Sequence, residues 1–251
     1  MRTLLCFIKK EFMEYSRTGK LVVLLALAVL FGLMSPAIAK LTPFLFENFQ
    51  ESGGVKLVLS ETGIDASASW QQFYKNMPML IVAFLLIFGG IFTQEYQRNT
   101  LVPVITKGLS RWKVVLAKYL GLLSLWTGAF FIVYCITYFY NDYYWDNKVM
   151  SNLFEAAVGY WLYGVLIVSL IVLFSTMAQT LGQVLIGVGG VYIIMNLLAL
   201  ADKIAKYLPT YLCSYSIVEG AEVSMVTYIV CVVCIVLCAV LSVVIFNRKH
   251  L

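Results

Sequence analysis

The chain has 251 residues, 61% of them apolar and 12% charged, with a net charge of +5, whereas soluble domains run nearer about 45–50% and about 25%. Its mean hydropathy is +0.88, and 18 basic and 13 acidic side chains cannot clothe a water-soluble globule of this size. Composition therefore sets aside a soluble enzyme, a disordered chain and a nucleic-acid binder, and leaves an integral membrane protein whose basic residues record topology.

In chain order, residues 2–17 place Leu5, Ile8, Phe12 and Tyr15 at intervals of three or four, with Lys9, Lys10, Glu14 and Arg17 mostly off that stripe. This pattern predicts an amphipathic interfacial helix on the inner leaflet, with the chain turning up at Gly19. The plainer alternative is a charged tail that only sets topology. Six apolar stretches follow, at 21–39, 77–93, 119–140, 158–177, 181–200 and 225–246. Each approaches the about 20 residues that a helix needs to cross hydrocarbon. The stretch ending at Ala37-Ile38-Ala39 imitates a secretory signal, but its apolar run exceeds the usual 7–15 residues, so an uncleaved first span is expected. Asn76 and Pro78 are expected to open the second span as N-cap and first-turn proline.

The fold class expected is thus an all-α integral membrane protein, six transmembrane helices preceded by an interfacial helix, forming one transmembrane domain over 1–251. Twelve of the Lys and Arg residues fall in the N-terminal segment, the 94–118 loop and the tail, against six on the other side. The positive-inside bias then places both termini in the cytoplasm. Ten of the acidic residues lie on the opposite side. Tyr138, Tyr140, Tyr143, Tyr144, Trp145, Tyr160, Trp161, Tyr163, Tyr207, Tyr211 and Tyr215 gather toward that outer side, as in an interfacial aromatic belt. A sugar- or peptide-binding platform is the less favoured alternative. Segment 40–76 is expected as the longest outer loop, with turn residues at Ser52-Gly53-Gly54 and a short helix leading into span two. Segment 203–224 is too apolar for a free loop and is expected to dip part-way into the bilayer.

No catalytic constellation and no metal site is visible. The only histidine is His250, and no phosphate-cradling Gly-rich motif occurs. Cys231, Cys234 and Cys238 lie mid-span, where thiols pack as small hydrophobes. The six spans contain no Asp, Glu, Lys, Arg or His in their interiors, where an ion-coupled carrier usually keeps one. Ser124 with Gly128, and Gly187, Gly189 and Gly190, suit close helix packing. Asn196 stands out as a lone amide that wants partners across a dimer seam or on a substrate.

The informative stretch is the 94–118 loop. Glu95 ends span two, the apolar residues Leu101, Val102, Val104 and Ile105 surround Pro103, Lys107 and Gly108 follow, and Ser110 stands ready to cap the helix that carries Arg111 and Lys118. Apolar side chains on a loop between two rigid spans are shaped to dock in a groove of a soluble partner. With Glu95, Thr100, Pro103, Ser110, Arg111 and Lys118 in this order, the loop resembles the coupling-helix region of type-2 ABC exporter permeases. Asn99 stands where that family usually has Gly, and Pro103 comes earlier than its usual Pro before Ser-Arg. The interfacial helix, six spans, semi-buried segment before span six and Phe246-Asn-Arg248-Lys249 ending extend the likeness.

The resemblance implies a permease subunit of an ATP-driven exporter, with Glu95, Arg98, Thr100, Leu101, Pro103, Lys107, Ser110, Arg111 and Lys118 coupling it to a cytoplasmic ABC ATPase subunit. It implies no cofactor in this chain, since ATP and Mg belong to the ATPase. The other partners expected are a second permease copy or a similar subunit, membrane lipid and an amphipathic cargo (peptide, lipid-like or drug), and no nucleic acid. The expected location is a plasma membrane, in a bacterium. The alternative is a non-transporting scaffold, sensor or immunity protein that binds a partner through the same loop.

Overall fold

A computed structural model describes residues 2–51, 65–98, 100, 110–145, 147, 150 and 152–249, and these residues are mostly helical with no strand among them. Helix α1 spans Arg2–Arg17, α2 Lys20–Glu51, α3 Ala66–Phe88 and α4 Thr93–Gln97. Helix α5 spans Arg111–Tyr144, α6 Leu153–Met177, α7 Leu181–Leu198, α8 Asp202–Ala205 and α9 Met225–Arg248. Six of the helices are long and apolar enough to cross a membrane: α2, α3 with its α4 extension, α5, α6, α7 and α9. The protein is an all-α membrane protein with a separate N-terminal helix.

The chain turns between α1 and α2 at Gly19, whose φ of +73° is one that residues with a Cβ rarely adopt. Both α2 and α3 are longer than the expected spans, so most of the expected 40–76 loop is helix, and Ser52-Gly53-Gly54 lies outside the described residues. Asp65, not Asn76, occupies the N-cap of α3. Asn76 and Pro78 lie inside that helix. Asn76 is buried and ties two spans together, its Nδ2 donating to Ser35 Oγ at 3.1 Å while its Oδ1 accepts from Gln72 Nε2 at 3.0 Å. A carboxamide at membrane depth is held because each of its ends finds a partner.

Helices α3 and α6 are the most buried spans and carry the core, whereas α7 and α9 leave most of their length exposed. Helix α9 packs along α6 and α5, and α2 along α3 and α5. Two spans come close together at Gly164 on α6, where a Cβ would sit 1.9 Å from the Trp126 ring of α5. Trp126 is held there by donating from Nε1 to the Trp161 carbonyl at 3.2 Å. Gly187 does meet a neighbour, with a Cβ there 2.4 Å from Phe174, but Gly128, Gly189 and Gly190 meet no other described residue of the chain within 4 Å. Helix α7 starts on a capping box in which Thr180 and Gln183 satisfy each other's backbone N–H groups.

Segment 203–224 contains the end of α8 and two 3-10 turns, Pro209–Cys213 and Tyr215–Ile217. Leu212, Ile217 and Val218 from this segment are buried against the bundle. The aromatic belt divides in two. Tyr140, Tyr143, Tyr144 and Tyr207 are exposed, while Tyr160 and Tyr163, expected in the belt, are 1% and 2% exposed core residues. Their helix is the one enclosed on most sides, so their rings face neighbouring spans instead of the surroundings.

Candidate functional site

Those sequence-predicted coupling residues that are described, Glu95, Arg98, Thr100, Ser110, Arg111 and Lys118, lie at the end of the bundle that carries both termini. Helix α3 stops at Phe88, and Gly89–Phe92 turn the chain into the short helix α4. The turn is anchored by Phe92 N–H, which donates to Ser175 Oγ on α6 at 3.0 Å. From α4, Tyr96 donates to the Thr176 carbonyl at 3.3 Å and Gln97 to the Gln179 carbonyl at 3.3 Å. Lys249 at the end of α9 donates to the same Thr176 carbonyl at 2.8 Å and lies 3.8 Å from the Tyr96 ring. A cation at a helix C-terminus satisfies carbonyls that have no intrahelical partner.

Glu95, expected to couple the permease to the ATPase, points its carboxylate into the bundle. Its Oε1 lies 3.1 Å from Lys118 Nζ and 3.4 Å from Lys10 Nζ. Lys118, seven residues into α5, is 1% exposed and donates to both oxygens of Glu11, at 3.1 and 3.0 Å. Glu11 is itself 1% exposed and also accepts from Tyr15 OH at 3.1 Å. Lys10 completes the network with Glu14 at 2.8 Å. Thus α1, the end of the α3–α4 span and the start of α5 meet on one buried ammonium. Breaking such a buried pair is strongly destabilising because an uncompensated charge is left inside.

Glu11 was missed in the sequence because the apolar stripe drew attention to Ile8 and Phe12. The face that docks is instead Phe7, Ile8, Glu11 and Tyr15, while Phe12 is 36% exposed and the Leu5 side chain lies outside the described residues. An acid at four-residue spacing between Phe7 and Tyr15 was the available signal, since carboxylates rarely share an apolar face without a cation opposite. Oxygens of Glu11, Glu14 and Glu95 lie within 4.8 Å of one another, a spacing compatible with a metal ion. Lys10 and Lys118 thread the same cluster, so two of its three carboxylate charges are offset by ammonium groups, and Glu95 Oε2 is buried without a hydrogen-bond partner among the described residues.

These charges perturb one another. Burial works against the charge on Lys10, but the hydrogen bond to Glu14 and the charges of Glu11, Glu95 and Glu14 outweigh it and hold the ammonium well above its ordinary range. Burial likewise works against ionised Glu14, and Lys10 overcomes it, holding the carboxyl below the usual value. Tyr15 is raised, by burial first and then by the Glu11 charge, and remains a neutral phenol that donates.

The remaining predicted residues take different places. Arg111 does not face outward; its guanidinium donates to the carbonyls of Phe246, Asn247 and Lys249 at 3.4, 3.0 and 2.6 Å, pinning the end of α9. Ser110 holds the N-cap position of α5, but its hydroxyl accepts no capping bond and is buried without a partner among the described residues. Arg98 and Thr100 are exposed beside the ionic cluster, where they line a cavity of about 260 Å³ with Lys20, Glu14 and Glu95. Leu101, Pro103 and Lys107, with Asn99, lie outside the described residues. Asn196 is exposed on α7 and donates to the Tyr192 carbonyl one turn earlier, at 2.8 Å.

A search of curated proteins found none that matches the chain. A sequence-family model described as "ABC-2 family transporter protein" matches residues 5–251, which takes in α1, all six spans and the ionic cluster. The chain therefore belongs to the ABC-2 family of transporter proteins, as a membrane permease of an ABC transporter.

Proposed function

We propose that this permease is the membrane-spanning subunit of an ATP-driven exporter, with both termini in the cytoplasm and a separate cytoplasmic ATPase docked on the 94–118 segment. Two permeases, identical or similar, form the pathway, and ATP with Mg is bound and hydrolysed by the ATPase. The observation that carries this reading is the buried Lys118 ammonium shared by Glu11 and Glu95. It ties both ends of the 94–118 segment to α1, so a push on that segment shifts α1, α3 and α5 as one body. Packed elements with matched buried charges move together because separating them exposes an unpaired ion.

Arg111 extends the same body to α9 through the tail carbonyls. The exposed apolar side of α7, with Ile186, Ile193 and Leu197 at 78, 59 and 60% exposure, is where a second permease is proposed to meet the first. Asn196 lies on that helix, at the proposed seam. The cargo in this reading is amphipathic, which suits spans whose only buried ion cluster among the described residues lies at one end.

The test is co-purification and reconstitution with a Walker-motif ATPase encoded beside the permease. The permease should stimulate ATP hydrolysis and support ATP-dependent transport out of the cytoplasmic side. Arg98→Gln, an exposed change with no ion pair to lose among the described residues, should lower stimulation while insertion and folding stay intact. Glu95→Gln and Arg111→Gln should abolish it. An ATPase that binds but drives no transport would favour the non-transporting scaffold instead, and normal transport in both Glu95 and Arg111 variants would sink the coupling role.

A further inference from the structure

The half of the bundle away from the termini holds a cavity of about 230 Å³ between α3, α6, α7 and the 3-10 turn Pro209–Cys213. Tyr74, Tyr160, Tyr163 and Tyr192 line it, with Asn196 and Thr210. Three of these rings are held rigidly. Tyr74, Tyr160 and Tyr163 are 9, 1 and 2% exposed, Tyr160 meets Tyr74 edge-on at 5.5 Å between centroids, and it meets Tyr163 at 6.4 Å. Asn196, on the exposed side of α7, stands at the outer limit of the space.

One polar group of this cavity is unspent, although Asn196 at its edge already donates to the Tyr192 carbonyl. The Thr210 hydroxyl oxygen is buried and has no hydrogen-bond partner among the described residues. A buried hydroxyl left unpaired is costly, and protein folds rarely leave one without something to bond it. The lining contains no charged side chain, so an ionic ligand would lose its hydration without gaining a counter-charge. Aromatic walls favour a flat ring, stacked or edge-on. An apolar cavity of about 150 Å³ already holds benzene, and this one is larger.

We infer that the tyrosine-lined cavity is a binding site for an uncharged molecule that carries a six-membered ring and a hydroxyl or carbonyl group, the ring lying among the tyrosines and the polar group on Thr210. The inference deepens the transport proposal by naming a cargo class, and rests on that proposal only for the claim that the ligand is cargo. Binding itself needs neither ATP nor a partner subunit. Failure to bind would therefore leave the coupling argument standing, and failure to transport would leave the site standing.

The experiment measures fluorine NMR line broadening of three probes on the full chain in lipid nanodiscs, each corrected against empty nanodiscs: 4-fluorophenol, fluorobenzene and 4-fluorobenzylammonium. The chain should bind 4-fluorophenol saturably and the ammonium probe at least about tenfold more weakly. Thr210→Val, which removes the hydroxyl and keeps the shape, should weaken 4-fluorophenol about five- to tenfold and leave fluorobenzene within about twofold, the scale of one hydrogen bond. Tyr163→Phe supplies an independent variant and should show the same selectivity, in lesser degree. Absence of saturable binding above empty nanodiscs would overturn the inference. So would equal effects of Thr210→Val on the two neutral probes, or tighter binding of the ammonium probe, which would mark a cation–π site instead.

Discussion

Replacing Lys118 by methionine keeps the length and most of the volume of the side chain but deletes the ammonium on which α1, α3 and α5 meet. Lys118 and Glu11 side chains are 2% and 1% exposed, so water cannot take over the lost contacts at 3.0 and 3.1 Å. Lys10 is 3.3 Å from Glu11, but its side chain is 45% exposed and it is already shared with Glu14 and Glu95. Leaving a buried carboxylate without its partner costs about 3–5 kcal/mol. The loss falls on the docking of α1, because α1 contributes Glu11 and can release its charge by undocking. Hydrogen exchange of the α1 amides, followed by mass spectrometry in nanodiscs, reads this local opening directly. At about 1.4 kcal/mol per tenfold, Lys118→Met should speed exchange about a hundredfold to several thousandfold. Adding Glu11→Gln should recover much of it, since the pair then leaves no bare charge, with a coupling of about 2 kcal/mol or more. Exchange unchanged within about threefold in Lys118→Met, or effects of the two substitutions that simply add, would refute this account of the cluster.

Other consequences follow from the same structure. Glu14 titrates below its ordinary value near 4.5 when α1 is docked, so its contribution is fully present above that value and is lost as pH falls through the docked value. Protection of the α1 amides, taken relative to their intrinsic exchange rate at each pH, should therefore fall as the pH drops below the ordinary carboxyl value, and Glu14→Gln should flatten that part of the profile. Gly164→Ala would place a methyl 1.9 Å from the Trp126 ring. It should cost at least about 1–3 kcal/mol in thermal or denaturant unfolding, with Trp126→Phe relieving part of it, and an unshifted transition would show that α5 and α6 are not packed there. Arg111→Gln removes donors to three carbonyls at the end of α9 and should loosen the tail by about 1–2 kcal/mol. Limited trypsin cleavage after Arg248 or Lys249 should then be about tenfold faster in the intact membrane-inserted protein.

The Lys-rich 94–118 segment shows where sequence and structure part company. Its position between two spans, its basic character and its likeness to a family pattern were all legible along the chain, because hydropathy and charge bias act locally and survive without tertiary contacts. The direction in which each residue points was not. Glu95 and Lys118 are separated by a stretch of mixed apolar and basic residues, and nothing in that stretch announces that Lys118 closes on both Glu95 and Glu11, the latter on a helix more than eighty residues earlier. Arg111 reads as a surface cation until the end of α9 is seen beneath it.

Composition and periodicity by themselves determined the class: a membrane protein of six spans with an amphipathic helix in front. The bilayer imposes that answer, since any backbone crossing it must satisfy its own hydrogen bonds and each crossing needs an apolar run of known length. Only the tertiary structure decided which polar residues became partners, that Tyr160 and Tyr163 belong to the interior, and that four tyrosines close around a cavity with Thr210. Those outcomes depend on the packing of helices distant in sequence. A buried charge or hydroxyl is set by whichever group the fold brings within about 3 Å, and spacing along one helix carries no record of it.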